Sequence, residues 1–159
     1  SGELRGMAWT EVNLELAIWT IPAMRMKTRV EHRVPLTPRC IEIISKQISN
    51  QNSSTLVFPS RNGTMISDMT LTKLLRDWNV ESDVPGRIAT AHGFRSSFRD
   101  WASENGYPRE LAERALAHTI KNATEAAYHR SDLLDQRRGM MLAWEAHVIS
   151  LMKLHTGPL

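Results

Sequence analysis

At Thr37-Pro38 the spacing of apolar residues changes period, and that change divides what the chain can fold into. Upstream, Leu16 to Pro22 is rich in β-branched and aromatic residues (Ile18, Trp19, Thr20, Ile21), and Arg33 to Thr37 alternates Val34 and Leu36 with polar neighbours. Both stretches read as antiparallel strands. Met24 and Met26 alternate with Arg25 and Lys27 between them, so Trp9 to Thr37 is predicted to be a small meander with Lys27 near its second turn. Pro22 and Pro35 then belong at strand ends or an edge, because proline donates no ladder hydrogen bond.

Downstream the period is helical. Thr37 is a cap with proline in the first turn, and Ile41, Ile44 and Ile48 recur at helix spacing before the polar loop Ser49 to Thr55. Leu56 to Pro59 is a short buried run, Arg61-Asn62-Gly63 a turn, and Ser67 caps a helix carrying Met69, Leu71, Leu74, Leu75 and Trp78. After the break at Val84-Pro85-Gly86, Phe94, Phe98 and Trp101 at i, i+4 and i+7 predict an inward stripe, with His92, Arg95 and Arg99 on another face. Asn105-Gly106 stops that helix, and Pro108 opens the next, through Leu111 and Leu116. Thr119 to Asn122 is a polar break before a short helix with Tyr128, and Ser131 caps a last helix with Met140, Met141, Trp144, Val148 and Leu151 on one side. The fold class expected is mainly α with a small antiparallel β-sheet.

At 159 residues the chain is long enough to bury its own core, and one domain is predicted. A lone cysteine, Cys40, excludes an internal disulfide; with no signal-peptide pattern and no long apolar run, a reducing, soluble, cytoplasmic setting is expected, and no membrane. The basic residues are fifteen Arg against five Lys, a bias toward planar, bidentate contacts with phosphate. Arg25, Lys27, Arg29, Arg33 and Arg39 meet only Glu31 within their own stretch, which makes Arg25, Arg29 and Arg33 candidates for contact with a nucleic-acid backbone. A solvated hairpin with scattered charge accounts for the same composition.

His92, Arg95, His118 and Tyr128 follow one another in an order that suits phosphoryl transfer. A phosphodiester resists attack because its anion repels nucleophiles and its alkoxide is a poor leaving group, so a metal-free catalyst must neutralise charge and supply a proton. Arg95 can pair with the non-bridging oxygens, His118 can hydrogen-bond the same phosphate, and Lys27 can protonate a departing oxygen. Tyr128 is an available nucleophile; ionising a tyrosine of pKa near 10 at neutral pH costs about 4 kcal/mol unless a base or nearby cations help. His92 and the arginines are candidates for that help. Each piece alone has an ordinary structural reading: His118 as a helix-end cap, Tyr128 as a packed aromatic, Lys27 as a solvated charge.

The order of the pieces resembles the tyrosine recombinase family, specifically the catalytic domain of phage and prophage integrases. The stretches that carry the resemblance are Gly2 to Trp9, Met26-Lys27, His32 to Thr37, Val57 to Ser60, Ala91 to Trp101, Leu116-Ala117-His118 and Ala126-Ala127-Tyr128. The resemblance implies a nucleophilic Tyr128 that forms a 3′-phosphotyrosyl DNA intermediate, Arg95 as the second catalytic arginine, and His92 in proton transfer. It also implies His118 at the family's His or Trp position and Lys27 as general acid. Implied partners are double-stranded DNA attachment sites, three further copies in a homotetramer, and host or phage accessory DNA-bending or directionality factors; no metal or other cofactor is implied.

Two positions depart from the family pattern. The family's first catalytic arginine lies immediately before the small-x-Glu-Leu run, and this chain opens on Ser1-Gly2-Glu3-Leu4, while Arg5 follows that pair. The expectation is a partial catalytic domain that lacks its N-terminal DNA-binding domains and cleaves DNA weakly or not at all by itself. Ala117 stands where many relatives carry glycine. Competing readings are a type IB topoisomerase, with the same chemistry but relaxation as its outcome, a non-catalytic DNA-binding module, and a helical interaction domain without DNA.

Overall fold

The computed structural model describes residues 2–49, 54–118 and 131–155. The elements run α1 (Gly2–Arg5), a 3-10 turn (Trp9–Glu11), β1 (Val12–Asn13), β2 (Ile18–Ile21), a second 3-10 turn (Ala23–Arg25) and β3 (His32–Pro35). Five further helices follow among the described residues: α2 (Pro38–Ile48), α3 (Met69–Asp77), α4 (Gly93–Glu104), α5 (Arg109–Ala115) and α6 (Leu134–His155). The expected mainly helical fold with a small antiparallel sheet is what forms.

The sheet has the order β1-β2-β3, all antiparallel, with Trp19 opposite Val34 and Ile21 opposite His32. Strand periodicity buries Trp19 and Ile21 and leaves Ile18 and Thr20 half-covered. Met7, Met26, Leu36, Ile44 and Val57 close the first core over them. The Met24 and Met26 alternation does not extend the strand: the chain turns through Ala23–Arg25, which buries Met26 and leaves Met24 77% exposed. Lys27 sits in the connection that follows, exposed, between β2 and β3.

Thr37 stands at the N-cap of α2 and Pro38 at its first position, as the sequence predicts; the Thr37 side chain makes no capping bond and is itself buried. Ile44 enters the first core and Ile41 packs against it, but Ile48, in the last turn, is exposed. A second core joins α4, α5 and α6 through Phe98, Trp101, Ala102, Leu111, Ala112 and Met140. Trp144 meets Phe98 edge to face at 5.5 Å and Trp101 at 5.1 Å, contacts worth roughly 0.5–1.5 kcal/mol each beyond their area. Phe94 departs from the predicted inward stripe. It is 56% exposed, because the first turn of α4 projects past the core into a cleft.

Among the described residues the most buried charge is Arg137, only 1% exposed. Its guanidinium donates to the Arg33 carbonyl at 2.6 Å, to the Asp132 carbonyl at 2.7 Å and to the Asp132 carboxylate at 3.1 Å. Arg33 reaches the same carboxylate with two parallel bonds of 2.8 Å. Burial raises the Asp132 pKa, but the Arg33 hydrogen bonds and the Arg137 charge outweigh it and hold the carboxyl below its ordinary value of 3.8. This triad fastens α6 to β3. Removing the carboxylate charge strands a buried cation, so Asp132→Asn should lower unfolding free energy by about 2 kcal/mol, moderated because Asp132 keeps partial solvent access. Urea unfolding measures this, and a loss under about 0.5 kcal/mol would contradict it.

Candidate active site

Lys27, His92, Arg95 and His118 line one cleft of about 1670 Å³, although they come from the β2–β3 connection, the start of α4 and the end of α5. Apolar walls from Leu4, Trp19, Leu71 and Phe94 surround these polar groups. Such a concave, largely apolar surface with a few converging charges suits an anion that must be desolvated and held. Among the described residues no group of three or more metal-ligating side chains comes together.

The end of α5 builds the His118 side of the cleft. His118 donates its backbone N–H to the Glu113 carbonyl at 2.9 Å, and Ala117 donates to the Arg114 carbonyl at 3.1 Å. That pair of bonds is a Schellman closure, with Ala117 as the left-handed residue at φ 53°. Glycine tolerates this conformation because it lacks a Cβ, which gives the departure at Ala117 a physical meaning. The same closure places the His118 ring over α5, where Nδ1 meets the Glu113 carboxylate. Glu113 also lies 3.9 Å from Arg109.

Arg95 braces this turn from α4, donating Nη2 to the Leu116 carbonyl and keeping its other donors for further partners. His32, on β3, hydrogen-bonds the main chain of Ala115 one residue earlier and lines the cleft as well. Burial and the charge of Arg137 push the His32 pKa from 6.5 down to about 4, so its ring is neutral in the fold at physiological pH. His92 is the N-cap residue of α4; it is exposed and makes no side-chain capping bond.

The basic stretch is less available than its composition suggests. The Arg25 guanidinium binds the Glu11 carboxylate and, at 2.6 Å, the Glu3 carbonyl; Arg33 is held by Asp132. Glu11 also accepts from the Trp19 indole at 3.0 Å and from the Ala8 amide at 3.2 Å, so one carboxylate ties the 3-10 turn, β2 and the segment before Lys27. Burial raises the Glu11 pKa, yet those hydrogen bonds keep it below the ordinary carboxylate range. Arg29 is exposed, with Nη1 3.4 Å from the Met24 carbonyl. None of these three arginines lines the cleft. Tyr128 lies outside the described residues. The sequence alone did not single out Glu11, His32, Glu113 or Asp132; the predicted end of the helix near Leu116 was the one signal that could have paired Glu113 with His118 across a turn.

The structure is similar to the crystal structure of XerA recombinase, with a TM-score of 0.62 at 17% identity, over 99% of this chain and 53% of that one. The chain therefore shares the fold of the matched half of that recombinase. The phage integrase family model matches residues 1–133, and the chain belongs to that family. It is 34% identical to prophage integrase IntA of Escherichia coli K12 over 138 residues, 86% of this chain and 32% of that protein. It is equally 34% identical to the integrase of Enterobacteria phage P4 over 164 residues, covering 91% of this chain and 36% of the relative. Prophage integrase IntZ of Escherichia coli K12 matches at 34% over 100% of this chain and 39% of its own length. The chain spans about a third to two fifths of the length of these relatives.

Two measurements check the local geometry. Ala117→Val places a β-branched residue in the left-handed region and should cost about 1–2 kcal/mol of stability, while Ala117→Gly should melt no lower than the parent. Equal melting of the Val variant and the parent would rule out the turn. For His32, the folded pKa lies below the unfolded value, so its stabilising contribution is full above pH 6.5 and is lost as pH falls toward about 4. The parent should therefore lose on the order of 2–3 kcal/mol across that window relative to His32→Asn. Parallel stability curves for the two proteins would exclude a buried neutral His32.

Proposed function

We propose that this chain is the catalytic portion of a tyrosine-type site-specific recombinase that integrates or excises a mobile element. The observation that carries the proposal is the convergence of Lys27, His92, Arg95 and His118, from three separate elements, on one cleft. The family membership supports the same chemistry.

In this mechanism the substrate is a phosphodiester of a double-stranded attachment site. The Tyr128 hydroxyl attacks phosphorus, the Tyr128 oxygen–phosphorus bond forms, and the bond to the 5′ oxygen breaks. Arg95 and His118 stabilise the charge that gathers on the non-bridging oxygens. Lys27 gives its proton to the departing 5′ oxygen, and His92 accepts the tyrosyl proton. The phosphotyrosine conserves the bond energy, so a 5′ hydroxyl from another strand reverses the step and exchanges partners. Arg25, Arg29 and Arg33 belong to the hairpin that would approach the backbone, with Arg29 the exposed member.

Strand exchange between two duplexes requires four active sites in a synaptic homotetramer, with host or phage DNA-bending and directionality factors as further partners. The surface of α6 suits a protein neighbour: Leu142, Leu151 and Met152 are exposed along it.

A nicked suicide duplex carrying two half-sites tests the proposal with the full-length protein. Tyr128→Phe should bind DNA with unchanged affinity and form no covalent complex, and Arg95→Ala should slow covalent attachment about a hundredfold or more. Mass spectrometry that places the DNA on any residue other than Tyr128 would reject the assignment, and relaxation without recombinant joints would reject strand exchange.

A further inference from the structure

We infer that Glu113 is a positioning residue for His118: its carboxylate accepts a hydrogen bond from Nδ1–H and thereby turns Nε2, as an N–H donor, toward the substrate phosphate. The inference rests on the recombinase reading above and adds a residue to it. A carboxylate only accepts hydrogen bonds, so the Nδ1 that meets it must carry the proton. With Nδ1 committed to α5, the other ring nitrogen is the one left for the cleft that His118 lines.

The backbone brings the two side chains within reach of each other. The His118 N–H already closes on the Glu113 carbonyl at 2.9 Å, so the two residues stack across the end of α5. At this place a Schellman turn commonly packs two apolar side chains against each other. Here an acid and an imidazole occupy it instead. Glu113 is also shielded, at 20% side-chain exposure, while its second oxygen lies 3.9 Å from the exposed Arg109 guanidinium, beyond hydrogen-bond distance. The Arg95 bond to the Leu116 carbonyl fixes the same turn from α4, which couples the two phosphate-binding side chains through one stretch of main chain.

The consequence is a donor that depends on its neighbour. When Nε2 is also protonated, the ring is a cation with one N–H on Glu113 and one for a phosphate oxygen. An indole, the family's alternative side chain at this position, has a single N–H and needs no such partner. Glu113 should therefore matter with His118 and be dispensable with Trp.

The test is a double-mutant cycle in the full-length protein, read as the rate of covalent attachment to a suicide duplex. Glu113→Gln should slow attachment by about tenfold or more without changing non-covalent DNA affinity. In the His118→Trp background the same change should slow it less than twofold. Equal losses in both backgrounds, or no loss in the parent, would overturn the inference. Histidine-selective 15N labelling supplies a second readout independent of turnover. Nδ1 of His118 should be protonated in the parent and only partly so in Glu113→Gln, and a bare Nδ1 in the parent would equally overturn it. Absence of any covalent complex with the parent protein would instead remove the recombinase reading on which the inference stands, while the labelling result still reports the ring.

Discussion

A guanidinium cannot be buried without partners, and most of this architecture follows from how Arg137 is satisfied. At 1% exposure it takes two carbonyls and a carboxylate, which fixes α6 against β3 and obliges Asp132 to lie between Arg137 and Arg33. The pairing reaches across about a hundred residues of chain. Because β3 pairs with β2 along four residues, the orientation of α6 is transmitted to the hairpin that carries Lys27. The same cation also acts at a distance, since its charge helps keep His32 neutral beside the cleft.

The second constraint is the way α5 stops. Ala117 pays a conformational cost to enter the left-handed region, and the resulting turn aims His118 into the cleft while leaving the Ala115 and Leu116 main chain for His32 and Arg95. Three elements thus meet on one helix end. A site assembled this way tolerates little displacement of any of them, because moving α4 withdraws Arg95 from both the turn and the cleft.

Much of this was legible in the sequence, for reasons that can be stated. The switch in apolar period at Thr37-Pro38 separates strand from helix, and Gly or Pro punctuation marks the helix ends near Asn105 and Pro108. Lys27, His92, Arg95 and His118 were identifiable from their order, each being ordinary alone, and the fold gathers them. Periodicity misjudged Phe94 and Met24, since a regular apolar spacing says which side chains share a face but not whether that face meets a core or a cleft. Asp132 with Arg137, and Glu11 with Arg25, stayed hidden because ion pairs depend on three-dimensional proximity that no local pattern encodes. Glu113 stayed hidden for a narrower reason: a five-residue separation joins side chains only when a helix ends between them.

The basic hairpin carries five cations within fifteen residues, yet Arg25, Arg33 and Arg39 already face carboxylates, and only Lys27 and Arg29 have none within ion-pair distance among the described residues. A cation paired inside its own protein must loosen from its carboxylate before it can neutralise a phosphate and release a counterion condensed on the duplex. The entropy released on meeting DNA scales with the phosphates actually neutralised, and so does the steepness with which affinity falls as salt is added. On the recombinase reading, Lys27 and Arg29 are the two hairpin cations that can meet a phosphate without first leaving a carboxylate. The ionic atmosphere around a bound duplex would therefore register the internal wiring of the hairpin, and composition alone would overstate how salt-sensitive its grip is.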